Sequence, residues 1–238
     1  MGDIVLPGAT FRPETVYGVT NVWLNPEVTY VIAEVDGEKW LISRPCAKKL
    51  KNQGKEVKIL EEVKGASFMG KMCKEPIKNR EIPILPATFV DPNNGTGVVY
   101  SVPSHAPYDW LALRDLKRDP SLLEKYGVPP EVVEQVEPIS MIRLEGFGDH
   151  PAIEIVERMG IRDQHDPKAE EATKIIYKKE YHTGILKEIC GEYAGYRVFE
   201  VKERIIRDFM EKGIADVMYD LVEPVVCRCG TPCIVKLL

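Results

Sequence analysis

A chain of 238 residues that is 44% hydrophobic and 29% charged has ordinary globular composition and length enough to bury a substantial core. Its formal net charge of −5 excludes a long grip on a nucleic-acid backbone, which needs many Lys and Arg contacts to phosphate, but leaves room for one RNA end at a local patch. No apolar run reaches membrane-spanning length, and MGDIVLPGAT at the N-terminus lacks the basic and apolar stretches of a secretion signal, so a cytoplasmic protein with reduced thiols is expected.

Residues 2–11 read as a short strand. Residues 16–24 and 28–35 are rich in β-branched and aromatic side chains, are separated by the turn pair Asn25–Pro26, and read as strands. Asp36–Gly37 predicts a hairpin turn with 38–42 as the return strand. Ser43 is placed to cap a helix that has Pro45 in its first turn and stops before Gly54. Residues 55–63 alternate again as a strand. From 65 to 90, short runs punctuated by Gly65, Gly70, Pro76, Pro83 and Pro86 suit a barrel or sandwich better than βαβ units. DPNNG at 91–95 is a turn, and GVVYSVP is the strand after it.

The character changes after Asp109. Residues 109–117, 120–126 and 130–136 read as helices, 137–144 as a strand, and 151–159 as a helix ended by Gly160. Residues 168–189 read as one long amphipathic helix, and 199–212 as another with Gly213 just beyond its end. Residues 214–221 and 225–235 return to strand character. The expected fold is α+β: one domain over 1–238, with a β-barrel-like core at 1–106 and 191–238 surrounded by helical insertions at 107–190. Both ends read as cut from something larger.

Two stretches carry the candidate chemistry. GTGVVYSVPSHAPYDW at 95–110 delivers Asp109 at a helix start, with Ser101, Ser104 and His105 beside it. An acid there can be a helix N-terminal residue favoured by the dipole, or a carboxylate that recognises an ammonium group through charge-assisted hydrogen bonds. His105 reads better as a residue that orients the turn than as a base. ATFRPETVYG at 9–18 offers Thr10, Arg12 and Thr15 as turn-capping hydroxyls and an arginine, or as a pocket rim holding a carbonyl oxygen and a water. The two stretches are expected to form opposite walls of one small-molecule pocket. Cys227, Cys229 and Cys233 in CRCGTPC supply three of the four ligands a structural zinc needs, with no nearby His, so no metal is expected. Gly-rich nucleotide motifs and a GxSxG elbow are absent from the sequence.

The same stretches resemble the two editing motifs of the class I aminoacyl-tRNA synthetases for leucine, valine and isoleucine: TTRP(D/E)T, and GTG followed by a strand, P-x-H and a downstream Asp. KGASFMGKM at 64–72, GEYAGYRVFEVKERIIRDFMEKG at 191–213 and VCRCGTPCIV at 226–235 follow in the family's order, so the resemblance covers the whole chain. VPSH at 102–105 is similar to the leucyl VPGH rather than the valyl pattern, and the insertions after Asp109 look like the archaeal or eukaryal-cytosolic type. Phe11 stands where the second Thr is usual, and Ala106 where an Asp is common. The resemblance implies hydrolysis of mischarged aminoacyl-tRNA(Leu) carrying isoleucine or norvaline. It gives Asp109 the substrate's α-ammonium, Thr15 the exclusion of leucine, Thr10 and Arg12 the surroundings of the scissile ester, and Tyr100, Val102, Ser104 and His105 the amino-acid pocket. It implies the 3′ end of the charged tRNA and the rest of a synthetase in cis as partners, a monomer, and no cofactor here. ATP and magnesium belong to a synthetic site whose HIGH and KMSKS signatures this sequence lacks. A valyl-type domain clearing threonine and a non-enzymatic tRNA-docking module are the alternatives.

Overall fold

A computed structural model describes residues 4–221 and 225–237. Residues 2 and 3 of the first expected strand lie outside this range. The strand itself is short: β1 (Ile4–Val5) is followed by extended chain up to the 3-10 helix Pro13–Gly18. That helix replaces the first part of the strand expected over 16–24, because Pro13 sets the backbone for a helical turn and Arg12 O accepts from Thr15 N. Strand character resumes only at β2 (Asn21–Leu24).

β3 (Thr29–Val35) and β4 (Glu38–Ser43) form the expected hairpin, with Asp36 and Gly37 both at positive φ, the geometry of a type I′ turn. Ser43 accepts a hydrogen bond from Cys46 N at 3.1 Å and so caps α1 (Arg44–Asn52), whose Cys46, Ala47 and Leu50 pack on Val31, Ala33 and Val35 of β3. β5 (Val57–Lys64) completes a sheet of order β1-β4-β3-β5, with β1 parallel to β4 and the other pairs antiparallel. β6 (Met72–Lys74), β7 (Glu81–Pro86) and β8 (Val99–Ser101) join β2 in a second sheet of order β6-β7-β2-β8. The two sheets share one core containing Trp23, Leu24, Tyr30, Leu41 and Ile84. Tyr30 of the first sheet donates its hydroxyl to Gly97 O, at the approach to β8, at 2.9 Å. The sheets are separate and do not close into a barrel.

The helical half follows: α2 (Pro107–Arg118), α3 (Ser121–Lys125), α4 (Pro130–Glu134), β9 (Ile142–Arg143), α5 (Pro151–Arg158), α6 (Lys168–Thr183), β10 (Ile185–Leu186) and α7 (Val198–Glu211). Leu111, Leu144, Val156, Ala169, Ala172 and Ile176 give α2, α5 and α6 a core of their own. α6 stops at Gly184 rather than running to 189. A side chain at 184 would collide with Glu180 O and with Ile142, so the chain turns there and β10 pairs antiparallel with β9. α7 ends as read, with Gly213 at positive φ.

The strands expected at 214–221 and 225–235 do not form. Among the described residues there is only an isolated bridge between Val226 and Pro232, because the segment lies along α1 and finds no neighbouring strand. Among the described residues, the span 191–238 adds α7 and irregular chain to the domain and no core strand. Among the described residues no helix is long and apolar enough to cross a membrane.

Candidate functional site

The loop at 10–15 is a tight, self-satisfied turn. Thr10 Oγ1 accepts from Arg12 N at 2.9 Å, and Thr15 donates both its backbone N–H (3.0 Å) and its hydroxyl (2.7 Å) to Arg12 O. This fixes the direction of the Arg12 side chain. Its Nε donates to Glu14 at 3.1 Å, one terminal nitrogen donates to His105 O at 3.1 Å, and the other to Glu180. The guanidinium lies over the Tyr177 ring, 4.3 Å from its centroid. Burial pulls the Arg12 pKa down, but Glu180 and Glu14 outweigh it, and the group is held firmly charged.

The second stretch arrives from the end of β8. Backbone N–H groups of His105 and Ala106 turn back onto Val102 O, and Pro107 opens α2, which puts Asp109 in the first turn of that helix. Asp109 is 6% exposed. Its carboxylate accepts from the Trp23 indole N–H at 3.0 Å and from Val102 N at 2.8 Å. Burial pushes its pKa up to about 7, against the lowering pull of those two donors and of Arg12. Among the described residues no Lys, Arg or His forms an ion pair with it.

His105 and Ser104 are fully buried, and their polar atoms are engaged within the protein. His105 Nε2 accepts from Met141 N at 2.9 Å, so the ring proton sits on Nδ1, which donates to Glu180 at 2.6 Å. Ser104 Oγ bonds His150 Nδ1 and Asp149 O, at 3.0 and 3.3 Å. Both residues spend their polar atoms fixing the turn to the helical half.

The two stretches do meet. Tyr100 donates its hydroxyl to Leu6 O at 2.8 Å, its ring closes over Gly8, and Gly95 sits against Ala9. They meet as adjoining segments rather than as opposite walls. Strand pairing also separates the expected pocket residues. Tyr100 and Val22 share one face of the sheet, whereas Asn21, Trp23 and Ser101 share the other, the side from which Asp109 is held. Val102 touches Asp109 through its backbone N–H, with its side chain 7% exposed in the shared core. Thr10 is exposed, and Thr15 is 6% exposed in the wall of the turn.

The family is decided by comparison with known proteins. Residues 8–134, more than half of the chain, match the family model described as leucyl-tRNA synthetase, editing domain. The chain belongs to this family. Leucine–tRNA ligases of Archaeoglobus fulgidus and Pyrococcus horikoshii are each 51% identical to it over its whole length, which is 25% of theirs, so the editing domain spans about a quarter of these relatives. A solved structure, GlLeuRS-CP1, superposes with a TM-score of 0.84 at 27% identity, covering 92% of this chain and 84% of that one. The Plasmodium falciparum cytosolic leucyl-tRNA synthetase editing domain shares the fold, with a TM-score of 0.83 at 23% identity over 92% of this chain and 81% of that one.

Glu180 is the residue of this editing domain that sequence reasoning missed. It is fully buried, yet it takes Arg12 with one oxygen and His105 with the other, tying both motifs to α6. A signal existed: Ala169, Ala172, Ile176 and Glu180 fall on one helical stripe, where a carboxylate is out of place without a partner. Asn21 Nδ2 and Ser101 Oγ, buried without hydrogen-bond partners on the Trp23 face of the sheet, also escaped notice. At the C-terminal end, Cys227 and Cys229 are joined as a disulfide, so the expected fully reduced set of thiols is corrected; their Cα atoms stand 5.4 Å apart in the turn that includes Gly230, within bonding range. Among the described residues no cluster of three or more His, Cys, Asp or Glu stands ready to hold a metal.

Proposed function

We propose that residues 1–238 act as one editing unit that hydrolyses the ester of a non-cognate amino acid, such as isoleucine or norvaline, on tRNA(Leu). Asp109 binds the α-ammonium. The observation that carries this reading is a buried carboxylate with two neutral donors and no cation partner among the described residues, a site completed by an incoming ammonium group. Thr10 and Arg12 border the ester. A second sieve of this kind is needed because a synthetic pocket separates side chains differing by one methylene by only about 1–3 kcal/mol. An aminoacyl ester is already reactive, so positioning and carbonyl polarisation suffice, and His105 is not available as the base because its Nε2 already accepts Met141 N–H. The proposed partners are the 3′ end of the charged tRNA and the remainder of a synthetase in cis, with the domain acting as a monomer in the cytoplasm. The proposal needs no cofactor in this domain.

Hydrolysis of isoleucyl-tRNA(Leu) across pH tests it. Asp109 must be ionised and the substrate amine charged, so kcat/KM rises through about pH 7 and falls again as the amine, ordinarily near 7.7–8.0, loses its proton. A rate that ignores pH across the lower limb would remove Asp109 from the role. Linkage has the matching sign. Because the folded carboxyl titrates above its ordinary 3.8, the folded state holds an extra proton between those values, and that contribution to stability is lost as pH rises toward 7. A non-hydrolysable aminoacyl-adenosine analogue therefore raises the thermal midpoint more above pH 7 than below it.

Thr15→Ala separates gating from turn formation. If Thr15 excludes leucine, the smaller side chain admits it, and hydrolysis of correctly charged leucyl-tRNA rises about 10- to 200-fold. Unchanged leucyl-tRNA in the presence of a folded variant would leave Thr15 as a turn residue alone.

A further inference from the structure

Two polar side chains on the Asp109 face of the second sheet are left without partners. Asn21 and Ser101 are both fully buried and stand opposite each other as the end pair of the β2–β8 ladder. Asn21 Oδ1 accepts from the Thr20 hydroxyl at 3.0 Å, whereas Asn21 Nδ2 and Ser101 Oγ have no hydrogen-bond partner among the described residues. Reversing the amide does not help, because Nδ2 then faces Thr20 Oγ1 and Oδ1 is stranded instead. Stranded polar groups are costly, and protein interiors pair them with protein atoms or with internal water. Opposed side chains in an antiparallel pair stand about 4.5–5.5 Å apart at Cβ. These two make no direct bond, which is the span that one water bridges. Water also suits the chemistry, since it can accept from the amide and exchange a hydrogen bond of either sense with the hydroxyl. An ammonium group could not accept from Nδ2.

We propose that Asn21 and Ser101 hold one internal water that fastens β2 to β8 and so positions Asp109 for the substrate's ammonium. The two strands each bring one donor to that carboxylate: Trp23 Nε1 from β2, and the N–H of Val102, the residue after Ser101. The ladder ends at Asn21 and Ser101, with Thr20 N donating to Ser101 O at 3.0 Å as a further tie. Slippage of one strand against the other at this corner changes the spacing of the two donors and with it the aim of the carboxylate. Asn21 and Ser101 are therefore positioning residues, acting through Asp109 rather than on the ester. The positioning role rests on the editing function proposed above; the water site stands without it.

The site is tested without substrate. In the wild-type chain the Asn21 side-chain amide shows a nuclear Overhauser effect from water with the sign of a long-lived bound molecule, and Ser101→Ala removes it. Stability gives a second reading. Asn21→Leu and Ser101→Ala each strand the other partner and lower the thermal midpoint by about 2–6 °C. The double variant replaces both partners by apolar groups and returns to within about 2 °C of wild type. Two groups that are unpaired in the native protein predict the opposite: each single change raises the midpoint, and the two rises add. That pattern, or coupled midpoints without the water signal, overturns the site. The role is read from hydrolysis of an isoleucyl-adenosine ester. The double variant, folded and stable, cleaves it about 10- to 100-fold more slowly, with the loss in kcat rather than KM because Asp109 is present but misaimed. A double variant within twofold of wild type overturns the positioning role. Absence of hydrolysis from the wild-type chain would refute the editing function and the positioning role with it, leaving the water signal and the midpoints to judge the site.

Discussion

Asp109→Ala is expected to lower kcat/KM for isoleucyl- or norvalyl-tRNA(Leu) by about 30- to 5000-fold. Truncating one partner of a buried charge pair costs roughly 2–5 kcal/mol, and in the proposed role the pair forms only when substrate arrives. The loss should appear in the chemical step as well as in affinity, since an amine left unheld also leaves the ester unaligned. Stability should move little at neutral pH. Alanine removes a carboxylate that burial disfavours, but it strands the Trp23 indole N–H and Val102 N–H, and these effects oppose each other. Asp109→Asn is not a neutral control, because one of the two donors would face an amide NH2 instead of an oxygen. Single-turnover deacylation beside a melting curve decides the matter. Activity within a few-fold of wild type in a folded Asp109→Ala protein would overturn the ammonium-anchor role.

Glu180→Ala should be the most destabilising single change near the site. It leaves the Arg12 charge with Glu14 alone and the His105 Nδ1–H without an acceptor in a fully buried setting. Removing one member of a buried pair costs about 3–5 kcal/mol. Arg12 retains 16% exposure, so the lower part of that range is expected. For a domain of this length the thermal midpoint falls by roughly 6–12 °C. Deacylation should fail even at temperatures where the variant is folded, because both motifs lose their common anchor. Glu180→Gln can still accept from His105 but presents a donor or a neutral oxygen to Arg12, so it should sit between wild type and Ala on both measures. A midpoint within 2 °C of wild type for Glu180→Ala, well inside the shift expected from such a pair, would mean that α6 is held by packing alone.

Local chemistry was legible in the sequence wherever a residue acts on its neighbours. Asp36–Gly37, the Ser43 cap, Pro107 opening α2 and Gly213 closing α7 all behave as their types dictate. The misreadings share a cause: the deciding partner is remote. Val16 to Gly18 have strand composition, but Pro13 and the Arg12 carbonyl had already started a helical turn. The segment from 214 onward has strand composition and no strand to pair with, since α1 holds it through Gln53. Asp109, Arg12 and Thr15 stand out in the sequence because they sit in compact motifs. Their actual partners, Trp23 and Glu180, are 86 and 168 positions away from Asp109 and Arg12, and no periodicity announces them. The resemblance puts Tyr100 in the amino-acid pocket with Asp109, and pairing with Val22 sets it on the sheet face opposite Trp23, which holds Asp109.

The clamp on Arg12 has a consequence for the order in which the domain becomes active. A chain that emerges N-terminus first has Arg12, Trp23 and Asp109 outside the ribosome long before Glu180 is made. Until α6 docks, the Glu180 bridge between Arg12 and His105 is missing, although Arg12 still reaches His105 O, and a partial opening of that helix later in the molecule's life undoes the same bridge. In the proposed function, hydrolytic competence is thus tied to completion of the Glu180 bridge. On the proposed reading, a half-made or frayed domain keeps Asp109 on Trp23 and Val102 but lacks the full clamp on Arg12.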